Sequence, residues 1–210
     1  MGASASDSAG SLLGKIGVAA AGARDRAGNG AGKVGMWVFL ATDAMGFGGM
    51  WAAYGVLRAR AVAWPDPAER LAVPLAAAMT LVLLTSSLTV LLALGAARVG
   101  RAAAARGWLA LSALLGVGFL AGQAIEYRRL LLEAPRMGLS SDLYASTFYL
   151  ITGFHALHVL AGLLILLGLA ARGRRAPLRP STLEVAALFW HFVDFAWVPI
   201  FTFIYLLPAR

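Results

Sequence analysis

The chain has 210 residues, of which 60% are hydrophobic and 13% charged, and its mean hydropathy is +0.76. This balance excludes an ordinary soluble domain and is typical of an integral membrane protein. Because the sequence contains no cysteine, disulfides, thiolate-ligated zinc, iron–sulfur clusters and covalently attached c-type haem are excluded as well.

Five apolar stretches follow one another along the chain. A hydrocarbon core of about 30 Å needs about 20 apolar residues per helical crossing, and the stretches that satisfy this are 34–57, 71–94, 108–130, 144–170 and 183–207. The linkers between them are too short to form a soluble catalytic domain. The sequence therefore predicts an all-α polytopic membrane protein, a bundle of five transmembrane helices, whose chemistry lies in the helices or in partner subunits.

The segments outside these stretches predict the orientation. Residues 1–33 are rich in Ala, Gly and Ser and lack a useful apolar stripe, which predicts a flexible cytoplasmic N-terminal tail before a transmembrane domain over 34–210. The formal net charge is +8, but its Lys and Arg lie between the spans, so we interpret them as topology signals and expect no nucleic-acid partner. A cytoplasmic N-terminus and a periplasmic C-terminus place the greater share of them inside.

Ionisable residues at membrane depth are the informative ones, because each costs a few kcal/mol if it faces lipid. The candidates for a buried polar, lipid-binding or proton-uptake site are Asp43, Glu126, His155, His158, His191 and Asp194. Each should therefore face a partner or water.

Their spacing suggests pairs. His155 and His158 are three residues apart, as are His191 and Asp194, so each pair can project into one interhelical space. Asp43 lies near mid-membrane, where it is either neutral or beside a cation or donor; we favour a neutral Asp43 that donates a hydrogen bond. Glu126, close to charged residues at its helix end, is expected to form hydrogen bonds at the interface.

Three interpretations of this polar set remain open. The histidines could bind a metal or haem, but a His-x-x-His pattern without the glutamate of zinc-protease helices is a weak signal. A proton or ion path would use the same residue types, although the chain lacks the internal repeats of many transporters. The third interpretation is a buried network that fixes helix register and anchors lipid or a neighbouring subunit.

Small residues and one proline predict features of the packing. Gly49 and Ala53, like Gly118 and Gly122, are four residues apart, a spacing that lets helix backbones approach closely in lipid. Pro199 lies inside the fifth span and lacks a backbone donor, so it should bend that helix.

Four blocks of the sequence resemble one known family. The order and spacing of KVGMWVFLATDAMGFGGMWAAY (33–54), GQAIEYRRL (122–130), YASTFYLITGFHALHVLAGLLIL (144–166) and EVAALFWHFVDFAWVPIFTFIYLL (184–207) are similar to those of subunit III of the haem–copper terminal oxidases. The matching positions include Glu126, Tyr127, His155, His158, His191, Asp194 and Trp197. The second span carries nothing specific to the family.

The resemblance implies a non-catalytic subunit in a bacterial inner membrane that holds no cofactor, while haem and copper lie in partner subunits. It implies subunit I as the main contact, subunit II as a further partner, and bound phospholipid. It also implies support for proton uptake and oxygen access in a complex that reduces oxygen and translocates protons. An accessory protein of a nitric oxide reductase, and a membrane enzyme or transporter, are the alternatives.

The chain departs from the family pattern in three places. Asp43 stands where the family commonly has Glu, and the shorter carboxylate leaves the electron donor, cytochrome c or quinol, open. A polar tail occupies the place of the first two helices of seven-span members, so one wall of their lipid cleft must come from elsewhere. Pro199 is not typical of the family.

Overall fold

The computed structural model describes residues 3–133, 137–174 and 176–208, with side chains from residue 30 onward. In these ranges the chain is helical and contains no strand. The elements are α1 (Ala3–Arg60), a short α2 (Pro67–Arg70), α3 (Val73–Arg98), α4 (Ala102–Leu132), α5 (Leu143–Arg172) and α6 (Pro180–Ile200), followed by a π-helical turn (Phe201–Leu206). The all-α prediction is therefore confirmed.

Four helices are long and apolar enough to cross a membrane, namely α3, α4, α5 and the continuous segment Pro180–Leu206. They contain most of the predicted stretches 71–94, 108–130, 144–170 and 183–207 and extend beyond them, because helical hydrogen bonding continues into the charged flanks. Within the described residues the stretch 34–57 does not reach the same apolar content, since Asp43 and several glycines dilute it. The count of five spans stays a prediction.

The N-terminal segment is helical in its backbone. Helix α1 runs back to Ala3 through the residues expected to form a tail, so helical structure extends further than the lack of an apolar stripe suggested. Contacts divide the chain into two units, 1–39 and 40–210. The mobility and the cytoplasmic position of residues 1–33 stay predictions.

Two described residues show local signals at helix boundaries in the second unit. Gly100 joins α3 to α4 with a φ of 74°, a left-handed conformation that glycine adopts without steric cost. Asp142 precedes α5, and its side chain accepts a hydrogen bond from the backbone N–H of Ala145, which satisfies one of the free donors of the first turn. These two residues mark where α4 and α5 begin.

Helices α3, α4, α5 and α6 form a ring in which each packs against two others. Trp190 of α6 is fully buried and lies against Gly116 of α4 and Gly162 of α5, while its indole N–H donates to Ser86 of α3 at 2.9 Å. One side chain thus contacts all three neighbouring helices. Small residues make the space that the indole fills.

Pro199 lies one residue before α6 gives way to a π-helical turn, and the predicted bend stays a prediction. The chain continues from α6 into the π-helical turn, whose carbonyl groups serve as acceptors for other helices. Tyr54 of α1 donates to the carbonyl of Phe203 at 2.8 Å, and Tyr144 of α5 donates to that of Ile204 at 2.9 Å. The turn therefore ties α1 and α5 to the end of α6.

Candidate functional site

Asp43 and His158 form a largely buried pair between α1 and α5. The His158 Nε2 atom lies 3.1 Å from Asp43 Oδ1, and the two side chains are only 15% and 11% exposed. The Phe47 ring covers one side of the pair. It packs edge-on to Phe154 and lies 5.5 Å from the His158 ring. The pair is therefore removed from bulk solvent on its aromatic side.

The surroundings of His158 limit how protons are arranged in this pair. The His158 Nδ1 atom lies 2.8 Å from the carbonyl oxygen of Phe154, and a carbonyl only accepts, so Nδ1 carries a proton. The contact between Nε2 and Asp43 then holds a single proton, located either on the carboxyl group or on the imidazole. A neutral Asp43 that donates a hydrogen bond, as predicted, is one of these two forms.

His155 has a different environment from His158, although the two are three residues apart. It is fully buried inside the helix ring, with its ring 5.6 Å from that of Phe119 on α4 and 5.1 Å from that of Trp197 on α6. Neither ring nitrogen has a hydrogen-bond partner in the part of the chain that the structure describes. The expected pair of histidines therefore faces two separate surroundings.

His191 and Asp194 do share one space, and Ser87 of α3 connects them. The Ser87 hydroxyl lies 2.6 Å from His191 Nδ1 and donates a short hydrogen bond to Asp194 Oδ2. Sequence reasoning missed Ser87 because the second span matched no family block. The polar run Thr85, Ser86, Ser87 and Thr89 in an otherwise apolar helix is the signal that could have found it.

Glu126 lies in the protein interior and forms a hydrogen bond, as expected, while its predicted place near the membrane interface stays a prediction. It is fully buried, and the Tyr205 hydroxyl donates to its Oε2 atom at 2.6 Å. The charged residues that follow it in sequence suggested the interface, but the π-helical turn covers it through Tyr205. The adjacent Tyr127 shares a 2.7 Å hydrogen bond with Thr152 of α5.

The described residues contain no group of three or more His, Asp or Glu side chains arranged to hold a metal ion. The three histidines are instead distributed between a carboxylate on α1, an aromatic cage inside the ring, and a serine on α3. What the geometry can do chemically is hold protons in hydrogen-bonded pairs and orient helices.

These features define a class, namely an α-helical membrane protein with buried polar contacts between its helices. The family model described as Cytochrome c oxidase subunit III matches residues 20–208. Cytochrome c oxidase subunit 3 of Corynebacterium diphtheriae is 38% identical over 174 residues, covering 80% of this chain and 84% of the relative. The proteins of that name from Thermostichus vulcanus and Synechocystis are 34% and 37% identical, covering 81% of this chain and 84% and 73% of theirs.

The chain belongs to the cytochrome c oxidase subunit III family. It is subunit III of a haem–copper oxidase, and the resemblance in its four sequence blocks is confirmed. The comparisons do not favour the nitric oxide reductase, enzyme or transporter alternatives.

Proposed function

We propose that this chain supports proton uptake, oxygen access and stability in an oxidase complex of a bacterial cytoplasmic membrane, while its partner subunits hold haem and copper and reduce oxygen. The proposed partners are subunit I as main contact, subunit II and membrane phospholipid. The relatives are named cytochrome c oxidase, which favours cytochrome c over quinol as the electron donor.

The proposed topology has five spans, with 34–57 as the first, a cytoplasmic tail over 1–33 and a periplasmic C-terminus. Four apolar helices and the excess of Lys and Arg in the inside segments support it. Reporter fusions after residues 33, 100 and 210 test it. Cytoplasmic signals at the first two sites and a periplasmic signal at the third are expected, and an even number of crossings would contradict the proposal.

The observation that carries the proposed role is the Asp43–His158 pair. It joins α1 to the helix ring through one proton held between two side chains, in surroundings where an unpaired charge would be costly. A pair of this kind can keep α1 in position and can exchange its proton with a path in a neighbouring subunit. We therefore propose Asp43 and His158 as the main residues of this chain in sustaining turnover, supported by Glu126, His155, His191 and Asp194.

Purification of the complex through a tag on this chain tests the role. Subunits I and II should copurify with haem, and reduced cytochrome c should drive oxygen uptake. The Asp43→Asn complex should start at a rate close to that of the wild type and lose activity faster during turnover. Met45→Leu is the matched control, because Met45 lies on the same helix and is 77% exposed.

Two results would contradict the proposal. One is an Asp43→Asn complex whose activity lasts as long as that of the wild type. The other is a purified chain that binds stoichiometric haem or metal without its partners, which would restore the cofactor-binding alternative.

A further inference from the structure

Ser87, His191 and Asp194 form a continuous hydrogen-bonded chain across the α3–α6 contact. The serine hydroxyl has one proton, and it donates to Asp194 Oδ2. Its 2.6 Å contact with His191 Nδ1 must therefore use a lone pair of the serine oxygen, so Nδ1 is the donor. Donation runs in one direction, from His191 through Ser87 to Asp194.

The three residues lead from a partly exposed position of the ring to a buried one. Ser87 lies between Leu84 and Leu88 on α3, which are 47% and 56% exposed, and His191 is half-buried, whereas Asp194 is 4% exposed. Both ends have an unused atom, since His191 Nε2 and Asp194 Oδ1 are buried without a hydrogen-bond partner among the described residues. Because Nδ1 carries the proton, Nε2 of His191 has a free lone pair and can accept a proton from a donor that reaches this buried atom.

We propose that the three residues form a proton relay that loads Asp194 from the His191 side. A hydronium ion that reaches the buried Nε2 atom of His191 delivers a proton there and leaves as water. The Nδ1–H bond breaks as that proton moves to the Ser87 oxygen, and the original Ser87 proton forms the new O–H bond on Asp194 Oδ2. His191 ends neutral with its proton on Nε2, Ser87 is again a hydroxyl group, and Asp194 is a neutral carboxylic acid, so one proton enters and one is stored.

This arrangement differs from that of a hydrolase triad. In a triad the histidine lies between serine and carboxylate and removes the serine proton, which makes the serine a nucleophile. Here the serine lies between the other two and accepts a hydrogen bond from His191 Nδ1, which lowers the nucleophilicity of its oxygen. The geometry favours transfer of a proton over attack on a substrate.

The other titratable groups near α6 have partners outside the relay. Helix α3 has no titratable side chain before Arg98. On α5, His155 stacks on Trp197 and His158 pairs with Asp43, and in the described residues neither bonds to the relay. Tyr205 of the π-helical turn donates to Glu126.

The relay rests on the proposed function, because it would supply protons that support proton uptake by the oxidase. The experiment follows proton arrival at Asp194 in the purified complex by time-resolved infrared spectroscopy after a light-triggered pH drop, with Asp194→Asn to assign the protonated-carboxyl band. Ser87→Ala should slow the appearance of the band by about a hundredfold, the low end of what a positioned proton-transfer group contributes. Ser87→Thr, which keeps the hydroxyl, should restore the rate.

Thr85→Ala is the matched control, because Thr85 is exposed on the same helix. Among the described residues its hydroxyl bonds only to the Leu81 carbonyl of its own helix. The Thr85→Ala rate should equal that of the wild type. An unchanged rate in Ser87→Ala, or a Ser87→Thr variant as slow as Ser87→Ala, overturns the relay.

If Ser87→Ala fails to assemble, wild type and Ser87→Thr are compared in H2O and D2O. Slower loading in D2O supports proton transfer, and equal rates overturn it. Failure of the proposed function would show separately, as an unchanged turnover lifetime in the Asp43→Asn complex.

Discussion

The helix ring and the junction with α1 are held by different kinds of contact. In the ring, glycines on α4 and α5 let Trp190 fill the space between helices, so the packing is tight and largely apolar. At the junction, α1 is held by polar and aromatic contacts, namely the Asp43–His158 pair, the ring of Phe47 and the Tyr54 hydroxyl. The ring therefore provides stability, whereas the α1 junction is where polar chemistry can be adjusted.

Removing the central indole should have the largest effect. Trp190→Ala removes a fully buried side chain that contacts three helices, and a truncation of this kind costs about 3 to 5 kcal/mol. Equilibrium unfolding in mixed detergent measures the loss. Phe195→Ala, at a 72% exposed position of the same helix, should change the free energy of unfolding by less than about 0.5 kcal/mol.

A single methyl group tests how tight the ring is. A Cβ atom at Gly162 would lie 2.7 Å from Cε3 of Trp190, so Gly162→Ala should cost about 1 to 3 kcal/mol through overpacking. Gly168 lies on the same helix with no described atom within 4 Å of such a Cβ. Gly168→Ala should be neutral or slightly stabilising, and equal losses in the two variants would contradict the packing described for the ring.

A double-mutant cycle on Asp43 and His158 measures the junction. Hydrogen bonds between membrane helices contribute about 0.6 kcal/mol on average and up to about 1.7, so Asp43→Ala and His158→Ala should couple within that range. The same cycle with His155→Ala should be additive within about 0.5 kcal/mol, because His155 lies against Phe119 and Trp197. A coupling as large for His155 as for His158 would show that the two histidines share one environment.

The smallest effect concerns the ion pair between Arg70, the last residue of α2, and Asp142, which precedes α5. Partial burial raises the pKa of Asp142. The hydrogen bond from the Ala145 amide and the charge of the Arg70 guanidinium lower it by more than burial raises it, so the net pKa lies below its usual value. A lowered pKa stabilises the fold above the unfolded value, near 3.9, and this contribution is lost as the pH falls through the folded pKa.

Unfolding measured from pH 6 downward tests this contact. Because the pair is partly exposed, the loss should stay below about 1 kcal/mol. Asp142→Asn keeps a good helix cap but should lack the acid-dependent loss, whereas Asp142→Ala should cost about 1 kcal/mol more at pH 6 through the missing cap. The same acid dependence in Asp142→Asn would assign it to another group.

Much of the helix pattern follows from the sequence, because apolar length alone predicts where a chain can cross a membrane. The four apolar helices lie where the stretches predicted them, and Gly122 packs closely against Met79. Gly49 has no described atom within 4 Å of where a Cβ would lie, since spacing shows that helices can approach closely but not which helix approaches. The close contacts of Gly116 and Gly162 with Trp190 could not be predicted from spacing and follow only from the fold.

The candidate residues were predictable by type, since an ionisable side chain at membrane depth needs a partner whatever the fold. Sequence alone identified Asp43, Glu126 and the three histidines, and it related His191 to Asp194 through helical periodicity. Only the tertiary structure decided that His158 bonds to Asp43, that His155 lies among aromatic rings, that Tyr205 covers Glu126 and that Ser87 links His191 to Asp194. The physical reason is that helical periodicity determines which residues share a face, while the packing of separate helices determines what that face meets.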